Sequence, residues 1–307
     1  MAASRIRHDG TDLRQLFVDS KDATQSMPDG PDSTEKTMSQ QFDVTGSIED
    51  LRTGAPIEEG FRDGSGNRVD GLEAIFPIIS AQEHPWQPIG TGFFISNNGL
   101  FATAKHVLTD ASGKLLPGLA GVETVRRENR IRIRDVIKVA LHPRADVAIG
   151  FLFDKGFSET RQQTLNKQLR LTSRAPVAGE KIVTLAYPLG LVISDHPGYK
   201  VSLTTCVSEG RIEEHLPEGR DRVMLPSNCY QTSMPVAGGA SGGPVGFGDG
   251  SVFALNSTES PAAACSFVSS VVDLLPLRIP NVHLFGELRA EISIQELADM
   301  GLVIYDE

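Results

Sequence analysis

The glycine-rich run around Ser241 is the stretch of this chain with the clearest potential for chemistry. Ser241 lies in Val236-Ala-Gly-Gly-Ala-Ser-Gly-Gly-Pro-Val245, where glycines flank the hydroxyl on both sides. Glycine permits positive φ and close backbone approach, so this run predicts a tight loop with inward-turned amides. Such a loop presents Oγ beside N–H donors where an oxyanion would develop. The same composition is also typical of an ordinary hairpin loop, so the rest of the chain must decide.

A serine hydroxyl becomes a nucleophile at neutral pH when a neighbouring base takes its proton, and histidine suits that role best. Of the seven histidines, His106 stands out because it follows Phe101-Ala-Thr-Ala-Lys, at the predicted junction of a strand and a helical turn. Asp146 opens an apolar strand, where it needs a partner such as the Nδ1–H of that base. Taken singly, His106 is more typical of a structural histidine and Asp146 of a turn residue. The hypothesis depends on all three together.

Composition limits the function classes. The chain has 307 residues with 30 glycines and 18 prolines, which favours a loop-rich β protein over a helical bundle. Its net charge of −10 argues against nucleic acid or an anionic membrane as a partner. No apolar run approaches the ~18 residues of a membrane span, and the N-terminus lacks a signal-peptide core, so we expect a cytoplasmic protein.

The three cysteines, Cys206, Cys229 and Cys265, are an odd number without the spacing of a metal site. We expect buried free thiols, although a bridge between Cys206 and Cys229 stays open. The sequence predicts no metal and no other cofactor.

Short strands separated by turn signals must position these residues, and they predict an all-β fold. A polar connector from Asp154 to about Arg174 divides them into two sets, which indicates two packed barrels. The strands predicted before the connector are Ala74–Ser80, Gly90–Ser96, Leu100–Leu108 (ending in a helical turn), Arg130–Val139 and Asp146–Phe153. Those predicted after it are Lys181–Ala186, Tyr199–Val207, Gly210–Ile212, Asn228–Met234, Gly243–Gly246, Val252–Asn256 and Ser266–Val272.

Two extensions flank the predicted domain at 73–278, whose barrels span about 73–160 and 175–278. Residues 1–72 are polar and poor in aromatics, which predicts a flexible, disordered leader. Residues 279–307 form the C-terminal extension. There, Ser293-Ile-Gln-Glu296 is a capping box that predicts a short helix from Gln295 to Met300.

Three motifs resemble those of the chymotrypsin/trypsin-like serine peptidase superfamily, and they occur in its order. FATAKHV is similar to the histidine motif, HPRADVAIGFL to the aspartate motif and GGASGGPV to the serine motif. The resemblance covers roughly residues 75–275. It is closest to the bacterial HtrA/Deg-type protease domain, without its PDZ domain, because Ala186-Tyr-Pro-Leu-Gly190 and Val207-Ser-Glu-Gly-Arg-Ile212 look like motifs of that branch. It implies two packed six-stranded antiparallel β-barrels.

The resemblance implies a serine endopeptidase that acts on a protein or peptide substrate through an acyl-enzyme intermediate. His106, Asp146 and Ser241 would be its catalytic residues, and the amides of Gly239 and Ser241 its oxyanion hole. Ser257 would support Asp146 from the strand that borders the S1 pocket.

Three further positions belong to the implied S1 region: Gly238 in the serine loop, Asn256 beside Ser257, and Pro235 near the pocket base. No acid is evident there, so we expect no preference for basic P1 residues and favour an apolar one. Ala240 departs from the family pattern, because animal trypsin-like enzymes carry an aspartate there that receives a newly cut N-terminus.

Two other readings compete with a serine peptidase. Gly239-Ala-Ser-Gly-Gly243 also fits the G-x-S-x-G pattern of α/β-hydrolases, but that fold needs a helix after the serine and the order Ser, Asp, His. The second is a latent or inactive protease-like module that serves as a binding, scaffold or effector subunit. A regulatory protein partner would dock through residues 1–72 or 279–307.

Overall fold

The computed structural model describes residues 60–80, 85–125, 130–153, 165–195, 198–260 and 265–307. Most of the predicted leader, up to residue 59, lies outside this part of the chain. Strands dominate the described residues. The helical elements among them are short: α1 (Gly71–Ala74), α2 (Lys105–Leu108), a 3-10 turn (Val271–Leu274) and α3 (Ile294–Asp299).

Six antiparallel strands close into the first barrel, in the order β1-β2-β3-β6-β5-β4. Phe76 lies at its centre, with ring centroids 4.7 Å from Phe94 and 5.4 Å from Phe101. A Cβ at Gly150 would lie 2.6 Å from the Phe101 ring, so a glycine is needed there for the aromatic core to fit. The strands are β1 (Ile75–Ser80), β2 (Pro88–Phe94), β3 (Leu100–Thr103), β4 (Leu119–Val125), β5 (Arg130–Leu141) and β6 (Ala148–Phe153).

The second barrel also has six antiparallel strands, ordered β11-β8-β9-β10-β13-β12, and pairing of β11 with β12 closes it. Its apolar interior includes Phe253, whose ring stacks on Phe247 at 4.4 Å and meets Tyr230 edge-on at 5.8 Å. Short parallel strands β7 and β16 extend the sheet beyond β12. The strands are β7 (Leu171–Thr172), β8 (Lys181–Asp195), β9 (Gly198–Leu216), β10 (Cys229–Thr232), β11 (Pro244–Gly246), β12 (Val252–Ser260) and β13 (Cys265–Ser270).

The predicted all-β, two-barrel architecture is therefore confirmed. Strand β4 was not predicted from the sequence. Its Glu123 is buried inside the barrel, where it pairs with Arg134 at 3.2 Å. An inward-facing charge breaks the apolar alternation that marks a strand, so periodicity alone cannot identify this one.

The C-terminal extension contains more than the predicted helix. An antiparallel hairpin of β14 (Arg278–Leu284) and β15 (Glu287–Ser293) precedes α3, and β16 (Tyr305–Asp306) follows it. Helix α3 begins at the predicted capping box, in which the Ser293 hydroxyl accepts from the Glu296 amide. The hairpin buries Val282 and Leu284 against the same core as the first barrel, so these residues are part of the packed fold.

Residues 60–72 also differ from the expected flexible leader. Phe61 and Val69 are buried, and the Arg62 amide donates to the carbonyl of Gly250 at 3.1 Å. A Cβ on Gly246 would lie 2.9 Å from the Phe61 ring, which shows how closely this segment packs on the second barrel.

Three further observations concern the cysteines, membrane-spanning helices and metal ligands. Cys206, Cys229 and Cys265 are free thiols, with Cys229 and Cys265 buried. In the described part of the chain, no helix has the length and apolar character needed to cross a membrane, and no cluster of His, Cys, Asp or Glu side chains is arranged to hold a metal ion.

Candidate active site

His106 and Asp146 meet on the first barrel through two hydrogen bonds. Helix α2 begins directly after β3, so the His106 amide is free to donate to Asp146 Oδ1 at 3.0 Å. The ring Nδ1 lies 2.8 Å from Oδ2 of the same carboxylate. Asp146 is 5% exposed, whereas 41% of the His106 side chain is exposed. A buried carboxylate therefore fixes a histidine whose ring reaches solvent.

Ser257 connects this pair to the second barrel. Its hydroxyl donates to Asp146 Oδ2, and its backbone carbonyl accepts from Ser241 Oγ at 3.1 Å. Ser257 lies at a bulge in β12, where pairing with β13 shifts between Asn256 and Thr258. The bulge turns both groups of one residue toward the candidate site. Within the described residues, the hydrogen bond of Ser241 Oγ is therefore to Ser257 and not to His106.

The loop around Ser241 needs glycine at two positions. Gly239 has φ +87° and Gly242 has φ +85°, a region that side-chain-bearing residues rarely adopt. A Cβ on Gly242 would lie 2.1 Å from Thr103 Oγ1, and one on Gly239 would lie 2.7 Å from the Pro188 carbonyl oxygen. Both dihedral angle and space therefore exclude other residues.

The amides of Gly239 and Ser241 are the predicted oxyanion donors. Neighbouring amides of the loop have acceptors: Ala240 donates to Ala237 at 3.0 Å and Gly242 to Asn256 at 2.7 Å. By contrast, neither the Gly239 nor the Ser241 amide donates to a protein acceptor within the described residues. Two free donors on either side of Ala240, one of them the amide of Ser241 itself, are suited to binding a negatively charged oxygen.

Thr91, on β2 of the first barrel, holds the serine loop of the second. Its amide donates to the Ser241 carbonyl at 2.8 Å, and its hydroxyl donates to the Gly239 carbonyl at 3.0 Å. The same hydroxyl accepts from the Tyr187 amide at 3.0 Å. Thr91 is fully buried, so water does not compete for these bonds. Sequence reasoning missed Thr91, because its partners lie about 100 to 150 residues further along the chain.

The structure separates the predicted S1-region residues. Asn256 is buried, and its Nδ2 donates to Thr184 Oγ1 at 2.8 Å and to the Ala240 carbonyl at 3.3 Å. Pro235 is exposed, and the space around a Cβ on Gly238 is empty. Asn256 thus supports the serine loop from behind, whereas Pro235 and Gly238 lie on its surface.

The polar side chain of Ser266 contacts the residue that precedes Pro235. Ser266 Oγ donates to the carbonyl of Met234 at 2.8 Å and contacts Thr232 Oγ1 at 2.8 Å. Ser266 also pairs with Glu259 across the sheet, so the two side chains share one face. This face borders the loop that leads to Ser241.

Two antiparallel barrels with a histidine–aspartate pair on one and a glycine-flanked serine on the other define the class of trypsin-like serine peptidases. The family model described as "Trypsin-like peptidase domain" matches residues 90–255, which is more than half of the chain. The chain belongs to this family. A search of curated proteins found no significant match.

Among solved structures, the active form of the Rv3671c protease from M. tuberculosis is 19% identical, with a TM-score of 0.47, and the match covers 66% of this chain and 78% of that one. The MamO protease domain from Magnetospirillum magneticum is 14% identical, with a TM-score of 0.47, and the match covers 66% of this chain and 93% of that one. Deg5 is 20% identical, with a TM-score of 0.46, and the match covers 66% of this chain and 85% of Deg5. The family assignment rests on the family model and not on these similarities.

Proposed function

We propose that this serine protease cleaves peptide bonds with Ser241 as nucleophile, His106 as general base and Asp146 as the acceptor for His106 Nδ1–H. Ser241 Oγ attacks the scissile carbonyl carbon while His106 Nε2 takes its proton. His106 then gives that proton to the leaving amine, and an acyl-enzyme remains on Ser241. Water attacks the ester through the same base and restores the free serine.

The observation that carries this proposal is the double contact between His106 and Asp146. Because Nδ1 and the backbone amide of one residue bond to one buried carboxylate, the ring has a single orientation and carries its hydrogen on Nδ1. Nε2 is then a lone-pair acceptor on the solvent-facing side of the ring. The negative charge of Asp146 also stabilises the imidazolium that forms during attack.

The amides of Gly239 and Ser241 would stabilise the oxyanion of each tetrahedral intermediate. Their lack of protein acceptors in the described structure supports this role, since no internal bond must break before an oxyanion is bound. Loss of one such donor typically lowers kcat by about 10²- to 10³-fold.

Ser241 must rotate before it can react. Its Oγ donates to the Ser257 carbonyl, and attack requires that this hydrogen bond be exchanged for one to His106 Nε2. One staggered rotation about χ1 moves Oγ between such positions, at a cost that substrate binding readily offsets. In this proposal, the bond to Ser257 belongs to the resting state.

The decisive experiment is labelling with a fluorophosphonate, which reacts only with an activated serine. The full chain should be labelled, and Ser241→Ala should not. Ser233→Ala is a matched control because Ser233 is exposed and its Oγ accepts a hydrogen bond from the Arg211 amide, away from His106 and Asp146 in the sequence. Equal labelling of the wild type and Ser241→Ala would show that Ser241 is not the nucleophile.

We further propose that cleavage does not require a basic P1 residue and favours an apolar one. Pro235 offers no negative charge at the expected base of the pocket, and the neighbouring Ser266 hydroxyl is already bonded to the Met234 carbonyl. Substrate profiling with a peptide library should show apolar P1 residues. A strict requirement for Lys or Arg would point instead to the exposed carboxylate of Glu259.

A second candidate is a latent protease-like module that binds partners, and the Ser241–Ser257 hydrogen bond favours it. If that rotamer is permanent, Ser241 never reaches His106. A regulatory partner would then act through residues 1–72 or 279–307. Absence of fluorophosphonate labelling, with and without pulled-down partners, would support the module; labelling of the purified chain would exclude it.

A further inference from the structure

His142, which the proposed mechanism does not use, lies at the start of the turn that leads to Asp146. Its ring Nδ1 accepts from the Ala145 amide at 2.6 Å and from the Arg144 amide at 3.2 Å. Its own amide donates to the Val147 carbonyl at 3.1 Å. One residue therefore closes the turn on both sides of Asp146 in sequence, with its side chain before Asp146 and its backbone amide after it.

The same residue is bonded to the segment that carries His106. Lys105 precedes His106 in α2, and its Nζ donates to the His142 carbonyl at 3.1 Å. The acid and the base are thus joined twice: directly through the Asp146 carboxylate, and indirectly through Lys105 and His142. A shift of the 142–147 turn would move the carboxylate relative to the histidine ring.

The two amide donors determine the protonation state of His142. A ring nitrogen that accepts hydrogen bonds carries no hydrogen, so the neutral ring must have its hydrogen on Nε2. Protonation of Nδ1 would place its N–H opposite the N–H groups of Arg144 and Ala145, so that three donors would face one another without an acceptor. The turn in the described structure is therefore compatible only with neutral His142.

Burial has the largest influence on the pKa of His142, and three charged groups shift it as well. Burial lowers the pKa of His142; Lys105 from α2 and Arg144 from the same turn lower it further, whereas Asp273 from the 3-10 turn raises it. Because the pKa in the folded state lies below the ordinary value, the folded state favours the neutral ring. That advantage is present at neutral and alkaline pH and is lost as the pH falls.

We propose that His142 is a positioning residue that, as the neutral Nε2–H tautomer, holds Asp146 in place to orient His106. This rests on the proposed function, because orientation of His106 matters only if it is the base. Protonation of His142 opens the turn, so at acid pH the enzyme loses activity because Asp146 no longer holds His106 in position.

The test compares two variants of the full chain. His142→Asn keeps an acceptor, because an asparagine oxygen bonds to the same two amides in an Asx turn, but it does not titrate. His142→Ala has no acceptor. We expect His142→Asn to keep the wild-type kcat, and His142→Ala to lose about 10- to 100-fold in kcat with little change in KM, since misplacement of reacting groups slows chemistry.

The pH profile separates positioning from mere stability. On the acid side of the profile, the slope of log(kcat/KM) against pH should be steeper in the wild type than in His142→Asn, because only the wild type can protonate residue 142 and open the turn. An unchanged slope in His142→Asn, or wild-type kcat in His142→Ala, would overturn the proposal while leaving Ser241 chemistry intact.

A measurement without turnover separates this proposal from the proposed function. In full-length Ser241→Ala with ¹⁵N-labelled histidine, NMR should show hydrogen on Nε2 of His142 and on Nδ1 of His106. Adding His142→Ala should disturb the His106 Nδ1–H signal, and adding His142→Asn should not. If the wild type neither cleaves peptides nor reacts with fluorophosphonate, the proposed function fails, and this comparison still decides whether His142 positions the pair. An Nδ1–H tautomer at His142 would refute it.

Discussion

Asp146→Asn tests the central geometry most sharply, because it changes charge and hydrogen-bonding pattern but hardly changes shape. The carboxylate accepts three hydrogen bonds: the His106 amide on Oδ1, and His106 Nδ1–H with the Ser257 hydroxyl on Oδ2. An asparagine has one oxygen and one NH₂ for these three donors. The NH₂ of the asparagine must therefore face at least one of these hydrogen-bond donors.

The two orientations of the amide differ in cost. An NH₂ in place of Oδ1 would face the His106 backbone amide, which cannot become an acceptor, at a cost of about 1–3 kcal/mol for a buried unpaired donor. An NH₂ in place of Oδ2 would face Ser257 Oγ, which can rotate, and His106 Nδ1, which can give up its hydrogen. The second orientation is therefore preferred. It leaves the hydrogen on Nε2, where His106 cannot accept a proton from Ser241.

We expect kcat to fall by about 10⁴-fold, equivalent to about 5.4 kcal/mol of transition-state stabilisation. The assay is steady-state peptide hydrolysis at neutral pH, with the fluorophosphonate labelling rate in parallel and Tm as the check on folding. Asp110→Asn is the matched control: Asp110 follows α2 closely, but its Oδ1 accepts from Ser112 and Lys114, so kcat should not change. An Asp146→Asn enzyme that keeps more than about a tenth of kcat, well above the loss expected for the wrong tautomer, would refute the role given to Asp146.

The other predictions concern the serine loop and acid stability. Gly242→Ala should abolish hydrolysis and lower Tm, because its Cβ would lie 2.1 Å from the Thr103 hydroxyl. The control Gly238→Ala places its Cβ in empty space and should keep the wild-type Tm. Equal Tm values for the two variants would contradict the packing. Thr91→Val removes the hydroxyl that holds the Gly239 carbonyl and so loosens the residue whose amide is a proposed oxyanion donor, which should lower kcat by up to about 10²-fold. Thr172 is a buried threonine on β7, and the control Thr172→Val should leave kcat unchanged. The Met224 and Val223 amides lower the pKa of Asp221 to about 2. Asp221 therefore stabilises the fold above its unfolded pKa, and the Tm advantage over Asp221→Ala should disappear as the pH falls from about 4 toward 2; a constant advantage would contradict this.

The two barrels could be predicted from the sequence, and His106, Asp146 and Ser241 could be identified as candidates. Each of these residues lies in a short local pattern of neighbouring residue types that indicates its position in a strand, turn or loop. A histidine at a strand end and a serine among glycines are visible in a few neighbouring residues. Thr91 and His142 are not visible in this way. The hydroxyl of Thr91 acts on Gly239, and the carbonyl of His142 on Lys105, through contacts that only the folded chain creates.

The C-terminal hairpin was hidden for a different reason. Strands β14 and β15 form a separate two-stranded sheet, and half of their fourteen residues are exposed. Phe285 adopts positive φ, which a phenylalanine in the sequence does not indicate because bulky side chains rarely have this conformation. Because the hairpin gains its stability from packing on the first barrel and not from its own alternation, local pattern carries little information about it.

Ala240 shows how the serine loop keeps its shape without an aspartate. Ala240 is buried, and its carbonyl accepts from the Gly243 amide at 3.0 Å and from Asn256 Nδ2 at 3.3 Å. Thr91 binds the loop on either side of it, at Gly239 and Ser241. All of these hydrogen bonds join uncharged groups that do not titrate, whereas a carboxylate paired with a chain terminus would respond to both pH and cleavage. The loop geometry is thus built into the two barrels, and under the proposal made for His142 acid pH acts on the turn that leads to Asp146 and not on this loop.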